Sequence, residues 1–305
     1  MKKLLLVLFL AVSNMATATE TIRIQTPYTA SHSGTPIMLK ILETANQLQK
    51  NYTFILEFKP GGNQAIAVRQ MDQDPAYNLA IIAASFVENT ENGQLNAKNY
   101  VPVWSLGDAC WTVLSTSSAK SSVSGLEQSK ELIVGTVGFG NATHLTALQI
   151  GKRYNIPVRL IPFKSNYDAV VNMAGNNGVN FGIDTPQAFE TFQSRNSQLR
   201  MLAVSCNKRL PEYPEIKTLR EQGIVAPSVI NIVMANTAMP ESRRRHLAYI
   251  LERATAQIGE IETRRASGFN PPQFDQISAQ EHFTKSTELI SRLRNQYKRE
   301  ITQAQ

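Results

Sequence analysis

Strand-like and helical segments alternate along this chain, and they do so in two successive blocks. The first block runs from TIRIQT through a helix beginning near Thr35 and Pro36 to TFILEF and NLAIIAA. The second runs from ELIVGT through a helix at 143–154 to VRLIPF and VNFGID. Alternation of this kind favours a largely parallel sheet covered by helices, because a helix commonly connects two parallel strands. Two blocks therefore predict two α/β lobes.

Two further segments connect the blocks. PVWSL with CWTVLS leads from the first block into the second, and LRMLAVSC leads back out of it. The predicted division is a signal peptide at 1–18, lobe one at 19–112 plus 207–305, and lobe two at 113–206. Two connecting segments are what a two-lobed clamp needs.

The start of the chain has the composition of an export signal. Lys2 and Lys3 precede an apolar run at 4–12, and an A-x-A site ends at Ala18. A membrane anchor is the competing interpretation, but this run is far shorter than the roughly 20 residues needed to span a bilayer. No cysteine stands at the cleavage point to carry a lipid. We expect cleavage after Ala18 and a mature chain that is free in the periplasm.

Composition and residue spacing argue against several function classes. The net charge of +7 comes mostly from scattered basic residues, so no nucleic acid partner is expected. Only the run at 243–245 is concentrated, on a helix whose apolar stripe faces elsewhere, and we expect it to form a solvated face. The histidines, at 32, 144, 246 and 282, lack metal-binding spacing, and no nucleotide fingerprint is present. Neither a metal nor a cofactor is predicted.

The two cysteines are compatible with either a disulfide or two buried thiols. Cys110 precedes the strand-like WTVLS, and Cys206 ends the strand-like LRMLAVSC. If these two strands pair antiparallel, the cysteines can face each other. A disulfide between Cys110 and Cys206 is the slightly favoured hypothesis in an oxidising compartment.

Three loops stand between a strand and a helix, at 28–35 (YTASHSGT), 60–63 (PGGN) and 138–143 (GFGNAT). Their small residues allow the backbone to approach a ligand closely. Each following helix offers free N–H groups and the positive end of its dipole. Such ends attract carboxylates and phosphates, so the three loops together predict an anion site.

The order and spacing of several short motifs resemble one receptor family. VGFGNATHL, VRLIPFKSN, VNFGID, LRMLAVSCNKR, PEYPEIK and EQGI follow one another, and IRIQTPYTASHSGT, KPGGN and VPVWSLG precede them. This series is similar to that of the tripartite tricarboxylate transporter substrate-binding proteins, also called the Bug family, over nearly the whole mature chain. The resemblance implies a two-lobed periplasmic binding protein, a type II-like clamp. Each lobe is expected to be a mostly parallel sheet flanked by helices.

The resemblance also implies a function and a ligand site. It implies a receptor that captures a small organic acid and delivers it to the membrane permease subunits of a tripartite tricarboxylate-type transporter. We expect a monomer that is not an enzyme, with the ligand held by backbone N–H groups and small hydroxyls. The positions that match by resemblance are Thr29, Ser31, Ser33, Gly34, Thr35, Ala84 and Ser85 in lobe one, and Gly138, Gly140, Asn141, Thr143 and Asp184 in lobe two.

The first loop departs from the family pattern at His32, where relatives have small residues. A histidine in a ligand loop can donate to a carboxylate and titrates near neutral pH, so His32 joins the candidate site. Phe86 and Phe139 lie in or beside the loops, which favours a ligand with an apolar or aromatic part. A di- or tricarboxylate, an amino acid and an aromatic acid all remain open.

Two other functions stay open at this point. Ser33, His144 and Asp184 are the residue types of a hydrolase triad, although no G-x-S-x-G motif is present. A ligand sensor that docks on a signalling receptor would use the same cleft. His144 and Asp184 also have structural interpretations, His144 as a support for the loop and Asp184 as a cap for the helix or turn that begins at Thr185.

Overall fold

A computed structural model describes residues 19–32, 34–83, 86–227, 230–259, 269–270 and 276–304. The predicted signal peptide and its cleavage site lie outside these residues. The strands are β1 Glu20–Thr26, β2 Tyr52–Phe58, β3 Asn78–Ile82, β4 Tyr100–Ala109, β5 Thr112–Ser115, β6 Leu132–Thr136, β7 Val158–Pro162, β8 Phe181–Asp184, β9 Arg200–Val204, β10 Ile230–Asn236 and β11 Phe269–Asn270. The helices are α1 Thr35–Leu48, α2 Ala65–Asp72, α3 Phe86–Glu91, α4 Ala142–Tyr154, α5 Asn166–Ala174, α6 Pro186–Gln193, α7 Glu241–Ile258, α8 Gln276–Gln296 and α9 Lys298–Ala304.

The strands form two separate sheets, as the two blocks of alternation predicted. The first sheet has the order β11-β4-β10-β3-β1-β2, and the second has the order β7-β6-β8-β5-β9. Within the first, β1 pairs in parallel with both β2 and β3. Within the second, β6 pairs in parallel with both β7 and β8. These are the strands that a helix connects to the next.

Both sheets are mixed, so the expectation of mostly parallel sheets holds only for β1 to β3 and β6 to β8. Strand β10 lies between β3 and β4 and runs antiparallel to both. Strand β5 lies between β8 and β9 and also runs antiparallel to both. Each of these two strands is the one by which the chain arrives from the other sheet. Because no helical crossover within its own lobe precedes it, the strand enters in the opposite direction.

The apolar stripes expected from helix spacing are buried. Helix α1 packs on α7 and on β2, while α8 packs on β4 and β10. Among the described ranges, no helix is both long and apolar enough to cross a membrane. The buried stripe residues are Met38, Ile41, Leu42 and Ala45 on α1, Leu247, Ile250, Leu251 and Ala254 on α7, and Ile290 and Leu293 on α8.

The arginine run at 243–245 is not the uniformly solvated face that the sequence predicted. The Arg243 side chain is only 19% exposed, and its guanidinium lies 5.6 Å and 4.7 Å from the ring centroids of Tyr52 and Tyr77. Arg244 donates to a backbone carbonyl oxygen, and only Arg245 is well exposed. The long arginine stem lets a charged residue cover apolar and aromatic surface, which the charge pattern alone does not reveal.

A disulfide joins the two places where the chain passes between the sheets. The antiparallel pairing of β5 with β9 continues beyond both strands, because the Trp111 N–H donates to the Ser205 hydroxyl and the Ser205 N–H donates to the Trp111 carbonyl oxygen. The same register places Cys110 opposite Cys206, with their Cα atoms 4.5 Å apart, and these two cysteines form the disulfide. The crossing segments are therefore covalently tied.

The segment that follows β9 packs on the second sheet, whereas the sequence assigned residues from 207 onward to lobe one. The Gln222 side chain donates to the Leu202 carbonyl oxygen of β9 and accepts from the Val123 N–H. The Gln149 side chain of α4 exchanges hydrogen bonds with the backbone of Val225. We therefore propose that lobe two extends to about residue 225 before the chain returns through β10.

Candidate functional site

The candidate loops leave the carboxyl-end edges of the parallel strands. Ligands of open α/β sheets bind in the crevice outside these strand ends. The three loops of the first lobe follow β1, β2 and β3, and those of the second follow β6, β7 and β8. The candidate site residues that the structure describes all lie in or directly beside these loops. Ser33, Ala84 and Ser85 lie outside the described residues.

The loop after β1 folds back on itself at the start of α1. The Thr35 hydroxyl donates to the Thr29 carbonyl oxygen over 3.1 Å, and the hydroxyls of Thr29 and Ser31 are 3.0 Å apart. Gly34 stands at the N-cap position, where no side chain caps the helix. Because the first N–H groups of a helix lack partners within it, this end of α1 is suited to an anion.

His32 is buried in this loop in its neutral form. Its side chain is 4% exposed, and its ring stacks on Tyr28 with the centroids 4.0 Å apart. The imidazole Nδ1 accepts a hydrogen bond from the Gly34 N–H over 3.0 Å. Burial lowers the pKa of His32 from its usual 6.5 to about 4, so the expectation of titration near neutral pH is wrong.

A narrow pocket lies beneath the loop, between α1 and the ends of β1, β3 and β10. His32, Gly34 and Thr35 contribute to it from the loop and the helix. The Tyr28 hydroxyl donates to Oδ1 of Asn231, a residue of β10. Neither Tyr28 nor Asn231 was among the predicted site residues, since their contact spans 203 positions of the sequence. The other lining residues are Thr26, Ile37, Met38, Leu56 and Ile81.

Gln64 ties the loop after β2 to the loop after β3. Its Oε1 atom accepts from the Ala83 N–H over 2.8 Å, and the residue has a left-handed backbone with φ of 81°. Sequence reasoning missed Gln64 because the PGGN motif ends one residue before it. A polar residue directly after such a turn is the signal that would have drawn attention to it.

The loop after β6 is held mainly by its own hydrogen bonds. Asn141 caps α4, since its Oδ1 accepts from the His144 N–H and also lies 3.0 Å from the Thr136 hydroxyl. The Gly140 N–H donates to Nδ1 of His144 over 2.9 Å. Gly138 and Asn141 are half-buried, whereas Thr143 is buried. Only part of this predicted set is therefore open to a ligand without movement.

His144 supports this loop, in line with its structural interpretation. The side chain is 1% exposed, and its Nδ1 is occupied by the Gly140 N–H. Burial, and then the charge of Arg294, lower the pKa of His144 to about 4. A hydrolase histidine needs its Nδ1–H directed at an acid, and here Nδ1 is an acceptor instead. The geometry at His144 therefore argues against the Ser33, His144 and Asp184 triad.

Asp184 is completely buried at the end of β8. Its Oδ1 accepts from the Thr185 N–H over 2.7 Å, while the Thr112 hydroxyl donates to its backbone carbonyl oxygen. The side chain that caps α6 is that of Thr185, which accepts from the Ala188 N–H. The interpretation that Asp184 caps the helix itself is therefore wrong. Its carboxylate instead stabilises the start of the turn through the bond from the Thr185 N–H.

Arg294 connects the second lobe's loop to the first lobe. Its Nη1 lies 3.4 Å from the Gly140 carbonyl oxygen and 3.3 Å from a Glu88 carboxylate oxygen, and its Nε lies 3.5 Å from Glu91. Glu88 and Glu91 belong to α3, directly after the loop that follows β3. The site residues did not include Arg294, because no local pattern links a residue near the end of the chain to this loop.

The two phenylalanines beside the loops differ in burial. Phe86 is 2% exposed and packs against the rings of Tyr100 and Phe283. Phe139 is half-buried, packs against a cluster of buried apolar side chains, and has its ring centroid 6.4 Å from that of His144. Both residues were predicted to favour an apolar ligand, and for Phe86 this prediction is wrong because the residue belongs to the core.

A wider groove lies elsewhere on the molecule, along α4 and the C-terminal helix α9. Lys152, Asn155, Tyr297 and Glu300 are among the residues that line it. Its α4 residues extend from His144 in the first turn to Lys152 near the end of the helix, and the groove continues along the segment that follows. Over the described ranges, no cluster of histidine, cysteine and acidic side chains is arranged to hold a metal ion.

The comparison with known families identifies the chain. The family model described as the tripartite tricarboxylate transporter family receptor matches residues 41–292. The chain belongs to this family. The match covers most of both lobes, and it confirms the resemblance that the motif order indicated. None of the curated protein sequences matches the chain.

Solved structures of this receptor family confirm the two-lobed fold. The periplasmic binding protein BugD is 16% identical, with a TM-score of 0.77 over 91% of this chain and 97% of its own. An R. palustris protein with adipate is 20% identical, with a TM-score of 0.76 over 91% and 97%. MatC of Rhodopseudomonas palustris, with bound malate, is 15% identical, with a TM-score of 0.73 over 90% and 99%.

Proposed function

We propose that this receptor captures a small organic acid in the cleft between its lobes and delivers it to a tripartite tricarboxylate-type membrane transporter. One observation carries the proposal: the loop after β1 and the loop after β6 each stand at the start of a long helix, in a chain of this receptor family. A ligand carboxylate can accept hydrogen bonds from such helix ends.

The charge of the loops supports a carboxylate held by dipoles and not by an ion pair. By sequence, the loops after β1, β2 and β3 contain no Lys or Arg apart from Lys59, whose ammonium lies 3.9 Å from a Glu57 carboxylate oxygen. Arg294 reaches the second loop but faces Glu88 and Glu91. Dipoles and N–H groups stabilise an anion while leaving it easier to release than a buried salt bridge would.

The ligand class is proposed from related structures. Malate in one relative and adipate in another are both dicarboxylates. A dicarboxylate also suits a cleft with one helix start on each side. The proposed site residues are Thr29, Ser31, His32, Ser33, Gly34, Thr35, Ala84, Ser85, Gly138, Gly140, Asn141, Thr143 and Asp184. Of these, the buried Gly140, Thr143 and Asp184 act through the shape of their loops.

The cellular setting is part of the proposal. Cleavage after Ala18 would release a monomeric receptor into the periplasm, where the Cys110 to Cys206 disulfide can persist. Closure of the lobes would then create the surface that the permease subunits recognise. Ligand shifts the receptor toward this closed state only if it binds that state more tightly than the open one.

Thermal melting of refolded protein tests the proposal. Unfolding removes carried-over ligand, and the refolded receptor is then melted against dicarboxylates, tricarboxylates, amino acids and sugars. A ligand at a thousand times its dissociation constant adds about 4 kcal/mol, which raises the melting temperature by several degrees. A rise with one carboxylate class supports the receptor. No rise with any compound, together with turnover of an ester, would favour the hydrolase instead.

A second candidate, a sensor that docks on a signalling receptor, predicts the same ligand. Pull-down with the permease subunits, with and without that ligand, separates the two. Ligand-dependent capture of the permease supports transport.

A further inference from the structure

Helix α8 joins the two lobes at a third place, beside the two crossing segments. It packs on β4 and β10 of the first sheet, and it also contacts α4 of the second lobe. Leu145 and Leu148 of α4 belong to one buried apolar cluster with Leu293 of α8 and Ile82 of β3. Apolar packing therefore continues from lobe one through α8 into the helix that follows the loop at 138–143.

Arg294 is the charged residue at this junction, and its position relative to α3 is well defined. Its side chain is only 14% exposed, and its Nη1 and Nε atoms lie 3.3 Å and 3.5 Å from carboxylate oxygens of Glu88 and Glu91. The Ser291 hydroxyl, one turn earlier on α8, donates to Glu91 over 2.6 Å. Because a mostly buried charge needs partners of opposite sign, these contacts hold the guanidinium beside α3.

Each side of the Arg294 contact adjoins a proposed ligand loop. Glu88 lies in the first turn of α3, three residues after Ser85. On the other side, the Gly140 N–H donates to Nδ1 of His144, while Nη1 of Arg294 donates to the Gly140 carbonyl oxygen over 3.4 Å. Arg294 therefore touches the loop of lobe two directly and reaches the loop of lobe one through α3.

Gly140 permits this close approach. Its φ is 66°, and a Cβ atom there would stand 3.1 Å from the guanidinium carbon of Arg294 and 3.4 Å from Cδ1 of Ile301. A side chain at this position would push the loop and the C-terminal helices apart. The glycine thus serves a contact between the lobes as well as the turn of its own loop.

We propose that Arg294 is a positioning residue for the ligand: it holds the loop after β6 at a fixed place relative to α3, and ligand affinity depends on it although it does not touch the ligand. The inference rests on the proposed function and deepens it, since it names what keeps the two halves of the site in register. A loop that is already held in its binding geometry loses less conformational freedom when the ligand arrives. Glu88 should therefore influence, through Arg294, a loop of the other lobe.

Two substitutions interrupt the contact from its two ends. Arg294→Met keeps a long apolar stem and removes the charge, while Glu88→Gln keeps the shape of the side chain and removes its charge. Arg159→Met is the matched control, because it breaks an arginine–glutamate pair, with Glu131 at 3.2 Å, that lies within lobe two at the amino ends of β6 and β7.

Amide hydrogen exchange of the ligand-free protein shows whether the contact acts between the lobes. Peptides covering 138–145 should exchange about 3- to 10-fold faster in Arg294→Met and in Glu88→Gln, because the loop loses a hydrogen bond or the partner that orients it. The control should leave these peptides unchanged. A role of Glu88 confined to lobe one would not alter this loop, so Glu88→Gln alone carries the comparison if Arg294→Met does not fold. Unchanged exchange at 138–145 would overturn the inference.

Calorimetric titration measures the consequence for binding, with the dicarboxylate, malate and adipate included, that raises the melting temperature most. Affinity should fall about 10-fold in Arg294→Met and less in Glu88→Gln, with the control unchanged. The double variant should bind no worse than Arg294→Met, since both changes interrupt one contact. Wild-type affinity in both single variants, or additive losses in the double variant, would overturn the inference and leave the receptor function standing. A wild-type protein that binds no carboxylate would remove the proposed function, and the inference with it.

Discussion

Arg294 lies directly against Gly140, with its Nη1 atom 3.4 Å from the glycine's carbonyl oxygen. The same guanidinium faces Glu88 and Glu91, so a residue of helix α8 joins α3 of the first lobe to the loop of the second. A Cβ atom at Gly140 would stand 2.2 Å from that Nη1. The loop that we propose to hold the ligand is thus shaped partly from the other lobe.

Gly140→Ala should therefore displace the arginine. The side-chain end can move, but it then loses its contacts with Gly140 and the two glutamates, and alanine at φ of 66° adds strain of about 1 kcal/mol. We expect a total loss of about 2–4 kcal/mol in the free energy of unfolding. Urea unfolding measures it.

Gly93→Ala is the matched control for Gly140→Ala. Its φ is 74°, and an added Cβ would meet nothing within 4 Å, so only the backbone strain applies. An equal loss in the free energy of unfolding for the two variants would show that the Arg294 contact contributes nothing to stability.

Arg294→Met should raise the pKa of His144. Burial is the larger cause of the low value, and the nearby positive charge is the second, so removal of the charge corrects only part of the shift. Imidazole NMR should find a pKa between about 4 and the usual 6.5. The pKa of His32 serves as the internal reference, since burial alone lowers it. A His144 pKa that does not rise would refute the electrostatic part of this account.

Stability should fall as the pH drops from about 6.5 toward 4. His32 and His144 each have a folded pKa of about 4 against about 6.5 when unfolded, so the unfolded chain binds more protons in this window. Their contribution is fully present above pH 6.5, declines by up to about 1.4 kcal/mol per pH unit for each histidine, and levels off below pH 4.

Urea unfolding of wild type and His32→Asn at several pH values tests this linkage. Between pH 6 and pH 4.5, the free energy of unfolding should change less steeply with pH in the variant than in wild type. The difference should equal the contribution of about one histidine. Parallel curves would mean that His32 is protonated equally in both states.

Loss of the disulfide should cost about 4 kcal/mol. Cys110 and Cys206 are 96 positions apart, and closing so long a loop strongly restricts the unfolded chain. The Cys110→Ser, Cys206→Ser double variant should melt many degrees lower than wild type. Reductant should lower the wild-type melting temperature and leave the double variant unchanged. A wild-type melting temperature that is unaffected by complete reduction would contradict this role.

Much of the fold was predictable because it depends on local pattern. The stripes on α1 and α7 repeat at helical spacing, and the parallel strands are short apolar runs separated by turns. The antiparallel insertion of β5 and β10 was not predictable in the same way. A strand's direction depends on where the chain arrives from, and no residue within the strand encodes that.

The candidate site was predictable in its loops but not in its contacts. The sequence places His32, Gly34 and Asn141 at helix starts, and helix capping accounts for the residue types of Gly34 and Asn141. It gives no indication that Asn231 would receive the Tyr28 hydroxyl or that Arg294 would reach Gly140, because these pairs are separated by 203 and 154 positions. Long-range pairs of this kind depend on how the sheets and helices pack.

Amide hydrogen exchange with and without a saturating dicarboxylate tests the central claim most directly. A carboxylate ligand held between the lobes should slow amide exchange in both the loop at 29–35 and the loop at 138–143, because both loops lie at helix starts. Protection confined to the groove that Lys152, Tyr297 and Glu300 line, or absent from both loops, would contradict a cleft site.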